Sequence, residues 1–185
     1  MLAAARTAFA DRGYDGASIR AIATAAGVDP ALVHHYFGTK DRLFLAAVQA
    51  PVDPDEFLPE VLAVAPDQRG AAVVGVVLRV WDGPTRPAVL ALVRSAVNHE
   101  WSARLLREFV LTRIVRRVVG SVDVPVEERE GRGALVASQL MGLVMARYVF
   151  RIEPLASASP PSVVAAVGPT VQRYLTGDVE LPHPR

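Results

Sequence analysis

The residues best equipped for chemistry lie in one short stretch, Ser18 to Lys40, and they offer hydrogen-bond donation rather than bond breaking. Ser18 and Thr39 each precede a helical pattern, so each brings a hydroxyl together with the free N–H groups of a helix start, where negative charge is stabilised. Arg20 adds a planar fork of donors, and His34, His35 and Tyr36 add adjustable ones. Lys40, the only lysine in the chain, adds a positive charge at the second of these helix starts. Donors of these kinds suit contact with anionic oxygen, phosphate above all.

Other chemistries are poorly served. The 185 residues include no Cys, which excludes disulfides, thiolate zinc sites and a cysteine nucleophile and accords with a reducing compartment, the cytoplasm. There is no HExxH, GxGxxG, phosphate-loop or GxSxG element. His34 and His35 point about 100° apart on a helix, and no His, Asp or Glu stands three or four residues from either, so no metal is expected. Asp53, Asp55 and Glu56 crowd beside prolines as a solvated helix start does, and not as a glycosidase's carboxylates, which the fold brings together. The reading is a non-enzyme without cofactors. Lys plus Arg is 20 and Asp plus Glu is 19, a formal charge of +1 that names no partner.

Holding such donors in place requires short helices with a shared core. Apolar residues recur at helical spacing throughout and no strand alternation is sustained, so the fold class is all-α. Leu2, Ala5 and Phe9 share one face of a first helix that Gly13 ends, and Ile19, Ile22, Ala23 and Ala26 make a second, closed by Gly27. Asp29-Pro30 caps and starts a third through Phe37, and Gly38-Thr39 leads into a fourth from Lys40 to about Ala50. Ala23, Gly27 and Val33 stand at the spacing of a helix-turn-helix. Ala23 lets two helices cross closely, Gly27 takes the left-handed turn and Val33 fills the space between them. Such a unit offers its second helix, Pro30 to Tyr36, to the major groove of DNA.

Phe9, Gly13-Tyr14, the run Ser18 to Ala23, Ala26-Gly27-Val28 and the run Tyr36 to Phe44 together resemble the tetracycline-repressor (TetR) family of bacterial transcription regulators. The resemblance implies an N-terminal three-helix DNA-binding domain, residues 1–50 with its connecting helix, and a larger helical ligand-binding and dimerisation domain, residues 51–185. It places backbone-phosphate contacts on Ser18, Tyr36, Thr39 and Lys40, and base or groove contacts on Arg20, Pro30, Ala31, His34 and His35. His34 stands where the family commonly has tyrosine and Tyr36 where it commonly has histidine, so the operator preference is this chain's own. The stretches Arg94 to Val97, Arg104 to Phe109 and Ala137 to Leu143 resemble one group of actinobacterial members. The function implied is a one-component regulator, a repressor, that binds a palindromic double-stranded operator as a homodimer and is released by a small-molecule effector.

Pro51, Asp53, Pro54 and Pro59 mark the boundary near residue 51, and longer helices are expected at roughly 54–64, 67–82, 85–98, 101–121, 127–152 and 161–176. Residues with both bulk and polarity, Trp81, Arg94, Asn98, His99, Trp101, Phe109, Gln139, Met141, Met145 and Tyr148, are the candidates to line an effector pocket. Leu140, Leu143 and Val144, with Val163, Val167, Val171 and Tyr174, are the candidates for a dimer interface through the last two helices. The longest strongly hydrophobic uncharged run, Gly133 to Ala146, falls short of the roughly 20 residues a span requires and is expected to be a buried helix. Met1 to Ala10, interrupted by Arg6, is read as the first helix rather than a leader, and no membrane association is expected.

Overall fold

Eleven helices organise residues 1–181, the part of the chain that the computed structural model describes. They are α1 (Leu2–Gly16), α2 (Ile19–Ala25), α3 (Pro30–Phe37), α4 (Lys40–Val48), α5 (Leu58–Ala63), α6 (Arg69–Asp82), α7 (Arg86–Asn98), α8 (Glu100–Phe109), α9 (Arg116–Gly120), α10 (Arg129–Val144) and α11 (Pro160–Thr176). No strand occurs among the described residues, so the all-α class holds. The chain forms two compact units. One comprises Met1–Asp53 and Pro87–Thr112, the other Pro54–Arg86 and the chain from Arg113 onward.

In the first unit, α1 packs on α4 and α8 through Ala5 and Phe9, both buried. Phe44, fully buried, is the hub: its ring lies 4.8 Å from that of Phe9, 5.2 Å from Tyr14 and 6.4 Å from Phe109. The Arg6 Nε donates to the Ala47 carbonyl at 3.0 Å, tying the two helices at their polar edge. The helical path of α1 is interrupted at Gly13, where φ is 70°. The following Tyr14 N–H donates to the Glu108 carboxylate on α8 at 2.6 Å, so the broken turn's exposed donor is satisfied from a distant helix.

In the second unit, α11 lies closely against α6, and α10 packs on α11 and α9. Val74, Leu78, Val163, Val171 and Leu175 fill the interior. The buried Arg132 is fully engaged: its Nε donates to Glu128 at 2.8 Å and its Nη1 to the Tyr174 and Gly177 carbonyls at 3.1 and 3.0 Å. That pairing offsets the desolvation of its charge.

The helices expected over 101–121 and 127–152 are each interrupted by a π-helical turn, Val110–Val115 and Met145–Val149. Such a turn adds a residue without disturbing the apolar stripe enough to be read from periodicity. The helix expected from 54 opens instead as a 3₁₀ turn, Pro54–Glu56, with α5 starting beside Pro59, whose missing N–H suits a first helical turn. Among the described residues no helix is long and apolar enough to cross a membrane.

Candidate nucleic-acid interface

Ile22, Ala23 and Val33 are buried, so α2 and α3 interlock through the small residue and the branched one that the spacing singles out. Gly27 turns the chain between them with φ of 67°, and the Val28 N–H returns to the Ala23 carbonyl at 3.0 Å. This left-handed conformation would strain any side chain. Each helix start is capped as its sequence requires. Ser18 Oγ accepts from the Ala21 N–H at 3.2 Å, Asp29 from Ala31 at 2.7 Å, and Thr39 Oγ1 from Arg42 at 3.2 Å.

The core faces one way and the donors the other. Ser18, Arg20, Ala31, His34, His35, Tyr36 and Thr39 are exposed, and Pro30 and Lys40 are half-buried, so all nine residues lie on the outer sides of α2, α3 and the start of α4. Tyr36 is 66% exposed, a large unspent aromatic surface, and its ring meets His35 edge-on at 5.4 Å. The His34 Nδ1 lies 3.1 Å from the Gly38 carbonyl. A carbonyl only accepts, so Nδ1 carries the proton in this contact and Nε2 is the ring atom left for recognition.

Lys40 is positioned by residues that the sequence reading assigned no role. Its Nζ lies 4.5 Å from the centre of the Tyr14 ring and 3.5 Å from the Asp15 carbonyl, and the Tyr14 hydroxyl hydrogen-bonds to Asp41. The lysine is therefore held at the end of α1 rather than waving freely in solvent. Gly13-Tyr14 had a signal in the sequence, but nothing local revealed that Glu108 would grip this turn.

The effector candidates are placed differently from one another. In the first unit, Arg94, Asn98 and Trp101 are exposed, while Phe109 is buried against Phe44. In the second, Trp81 is buried and stacks on Tyr148 at 5.2 Å, Met145 is half-buried and Met141 is exposed. A cavity of about 290 Å³ within that unit is lined by Asp82, Arg86, Arg147, Tyr148, Arg151 and Glu153 among others, so that of the ten candidates only Tyr148 lines it. Of the interface candidates, Leu143, Val144, Val163 and Val171 are buried in the single chain, and Leu140, Val167 and Tyr174 are half-buried.

Of the acidic residues near 55, Asp55 is bound up in ion pairing. Asp55 pairs with Arg113 at 3.3 Å and with Arg117, and the Arg117 hydrogen bond holds its carboxyl below the ordinary range.

Residues 1–47 match the family model described as bacterial regulatory proteins, tetR family, and residues 67–175 match the one described as tetracyclin repressor-like, C-terminal domain. The sequence is 28% identical over 193 residues to the HTH-type transcriptional regulator BetI of Rhizobium meliloti, covering 98% of this chain and 92% of that protein. It is 44% identical over 46 residues to the HTH-type transcriptional repressor AcnR of Corynebacterium efficiens, a match spanning 25% of this chain and 24% of the repressor. Among solved structures, a TetR-family regulator from Streptomyces coelicolor A3 is 35% identical, with 94% of this chain and 91% of that one covered and a TM-score of 0.47.

Proposed function

This chain belongs to the TetR family of bacterial transcription regulators, and from that premise we propose that it is a repressor acting as a homodimer on a palindromic operator in the cytoplasm, released by a small molecule. The observation that carries the DNA-binding part is the division of α2 to α4: Ile22, Ala23 and Val33 are buried, and all nine donor or groove positions lie outside. In this reading α3 enters the major groove. Ser18, Tyr36, Thr39 and Lys40 meet phosphate, and Arg20, Pro30, Ala31, His34 and His35 meet base edges or groove walls. A gel shift of the full chain against DNA flanking its own gene, at two salt concentrations with excess competitor, tests it. Retardation that resists competitor and weakens with salt is the expected result. No retained band, even with sequences selected from a random pool, would sink the proposal.

The salt dependence itself is a quantitative expectation. One phosphate-contacting cation per protomer, Lys40, makes two in the dimer, and at about −0.9 per neutralised phosphate they contribute about −1.8 to the slope of log affinity against log salt. Lys40→Ala is expected to weaken binding to every sequence alike and to reduce that slope by about 1.8. Arg20→Ala is expected to narrow the gap between operator and random DNA as well. Titrations of both variants over salt and sequence distinguish the two roles.

A dimer is required because one recognition helix reads too few base pairs. With Leu143, Val144, Val163 and Val171 already buried in the monomer, the interface in this reading uses the outward positions of α10 and α11: Met141, Gly142, Ala165, Ala166 and Pro169, with Leu140, Val167 and Tyr174 at its margin. Small residues there allow the helices of two copies to approach closely. Ala166→Arg is expected to give monomers by light scattering and to lower operator affinity about a hundredfold or more, since the second half-site no longer binds as part of one molecule. A fully dimeric Ala166→Arg protein would move the interface elsewhere.

A further inference from the structure

The cavity of the second unit contains a buried donor, the Tyr148 hydroxyl, that completes no hydrogen bond. Tyr148 is 6% exposed and lines the cavity, and its hydroxyl, beside Asp82 and Arg147, completes no hydrogen bond with either. A buried hydroxyl left unpaired is destabilising, and a native structure tolerates one where a ligand supplies the missing partner. The ring is firmly held. Trp81 stacks on it at 5.2 Å, and the guanidinium carbons of Arg86 and Arg147 each lie 5.4 Å from its centre. Arg147 donates through Nη1 to the Leu155 carbonyl, while its buried Nε also has no partner.

The charges of the lining define what fits. Arg86, Arg147 and Arg151 stand against Asp82 and Glu153, three positive groups against two negative, leaving one net positive charge. Glu153 is occupied within its own loop, accepting from Ser157 Oγ at 2.6 Å and from the Ser157 N–H at 3.2 Å. A singly charged anion matches this balance. A phosphate dianion would face Asp82 and Glu153 with an excess charge that the lining does not neutralise. The volume, about 290 Å³, suits a small molecule rather than a large amphiphile.

We propose that this cavity binds the carboxylate of a small monoanionic organic acid, with the Tyr148 hydroxyl donating to it and Arg86 supplying charge. Burial pushes the Tyr148 phenol above its ordinary range, against an opposing pull from Arg147 and with the neighbouring Asp82 carboxylate adding to it, which keeps the hydroxyl protonated as a donor at neutral pH. That the acid acts as the effector rests on the regulator reading above; that it binds does not.

Isothermal titration of the full chain at pH 7 tests this with a panel of monocarboxylates from acetate to octanoate and benzoate, their neutral amides, and inorganic phosphate. At least one carboxylate is expected to bind about tenfold or more tightly than its amide, and Tyr148→Phe to weaken it about tenfold, as loss of a hydrogen bond to a charged group does. Should circular dichroism show that Tyr148→Phe does not fold, Arg86→Gln, at a half-exposed position, carries the same test with the same expected loss. Equal binding of acids and amides, no binding by any acid, or tighter binding of phosphate would each overturn the proposal. Gel shifts run in parallel without acid separate the two readings. Failed acid binding with intact retardation removes only this site, and acid binding without any retardation removes only the regulator.

Discussion

Phe44→Ala is expected to destabilise the protein by about 3 to 5 kcal/mol, the usual cost of truncating a buried aromatic ring, and to abolish operator binding with it. Phe44 is fully buried and is the one ring that touches Phe9 and Tyr14 on α1 and Phe109 on α8. Deleting it removes apolar burial and leaves a cavity between helices that cannot all collapse inward, because α1 is also fixed by the hydrogen bond from Arg6 to Ala47. Tyr14 would lose a supporting wall, and with it the contact that stations Lys40. Chemical denaturation followed by circular dichroism measures the loss, and Phe44→Leu, which keeps most of the volume, is expected to cost under about 1.5 kcal/mol. An Ala variant as stable as the Leu variant would show that the ring is not the hub it looks to be.

Gly70→Ala is expected to cost about 3 kcal/mol or more through the other unit, although alanine is the better helix former by about 1 kcal/mol. A Cβ at position 70 would lie 2.5 Å from the Gln172 backbone nitrogen, 2.6 Å from the Gly168 carbonyl oxygen and 2.8 Å from the Gln172 Cα. All three are backbone atoms of α11, which cannot rotate aside as a side chain could, so α6 and α11 must separate. The separation would also break the hydrogen bond from the Gly70 N–H to the Gln172 side chain, 2.8 Å, whose amide in turn reaches the Pro66 carbonyl at 3.0 Å. Gly75→Ala is the matched control on the same helix. Its Cβ would meet only a Val164 methyl at 4.0 Å, an ordinary contact, so the entropy of the unfolded chain favours it by roughly 0.5 to 1 kcal/mol. Thermal unfolding of the pair should move in opposite directions, and a Gly70→Ala protein with unchanged midpoint would mean that the helices cross less closely than described.

The local parts of this protein were written in short-range spacing. A cap, a first-turn proline, a left-handed glycine and a small residue opposite a branched one all act within a few positions of one another, so Ser18, Asp29-Pro30, Gly27, Ala23 and Val33 marked α2, α3 and the turn between them without any knowledge of the rest. The donors around that core were legible for the same reason. Gly13 likewise signalled a break, and the backbone does leave the helical path there.

What spacing could not show is which surface meets which. An apolar stripe states that a face is buried and is silent on whether its own chain or a second copy buries it. Val163 and Val171 therefore read as readily as interface as they do interior, and the fold spends them inside the monomer. Ring-bearing residues such as Trp81, Phe109 and Trp101 read alike in sequence, yet one stacks on Tyr148, one fills a core and one faces solvent. The grip of Glu108 on the Tyr14 N–H joins residues 94 positions apart, and the close approach of Gly70 to α11 spans 102 in its hydrogen bond to Gln172. Helix periodicity and capping are decided by forces that act within a turn or two of backbone, so the sequence by itself determined the helices and the helix-turn-helix. The unpaired Tyr148 hydroxyl, the three arginines around it and the positioning of Lys40 depend on contacts closed only when distant segments pack, and these the tertiary structure alone decided.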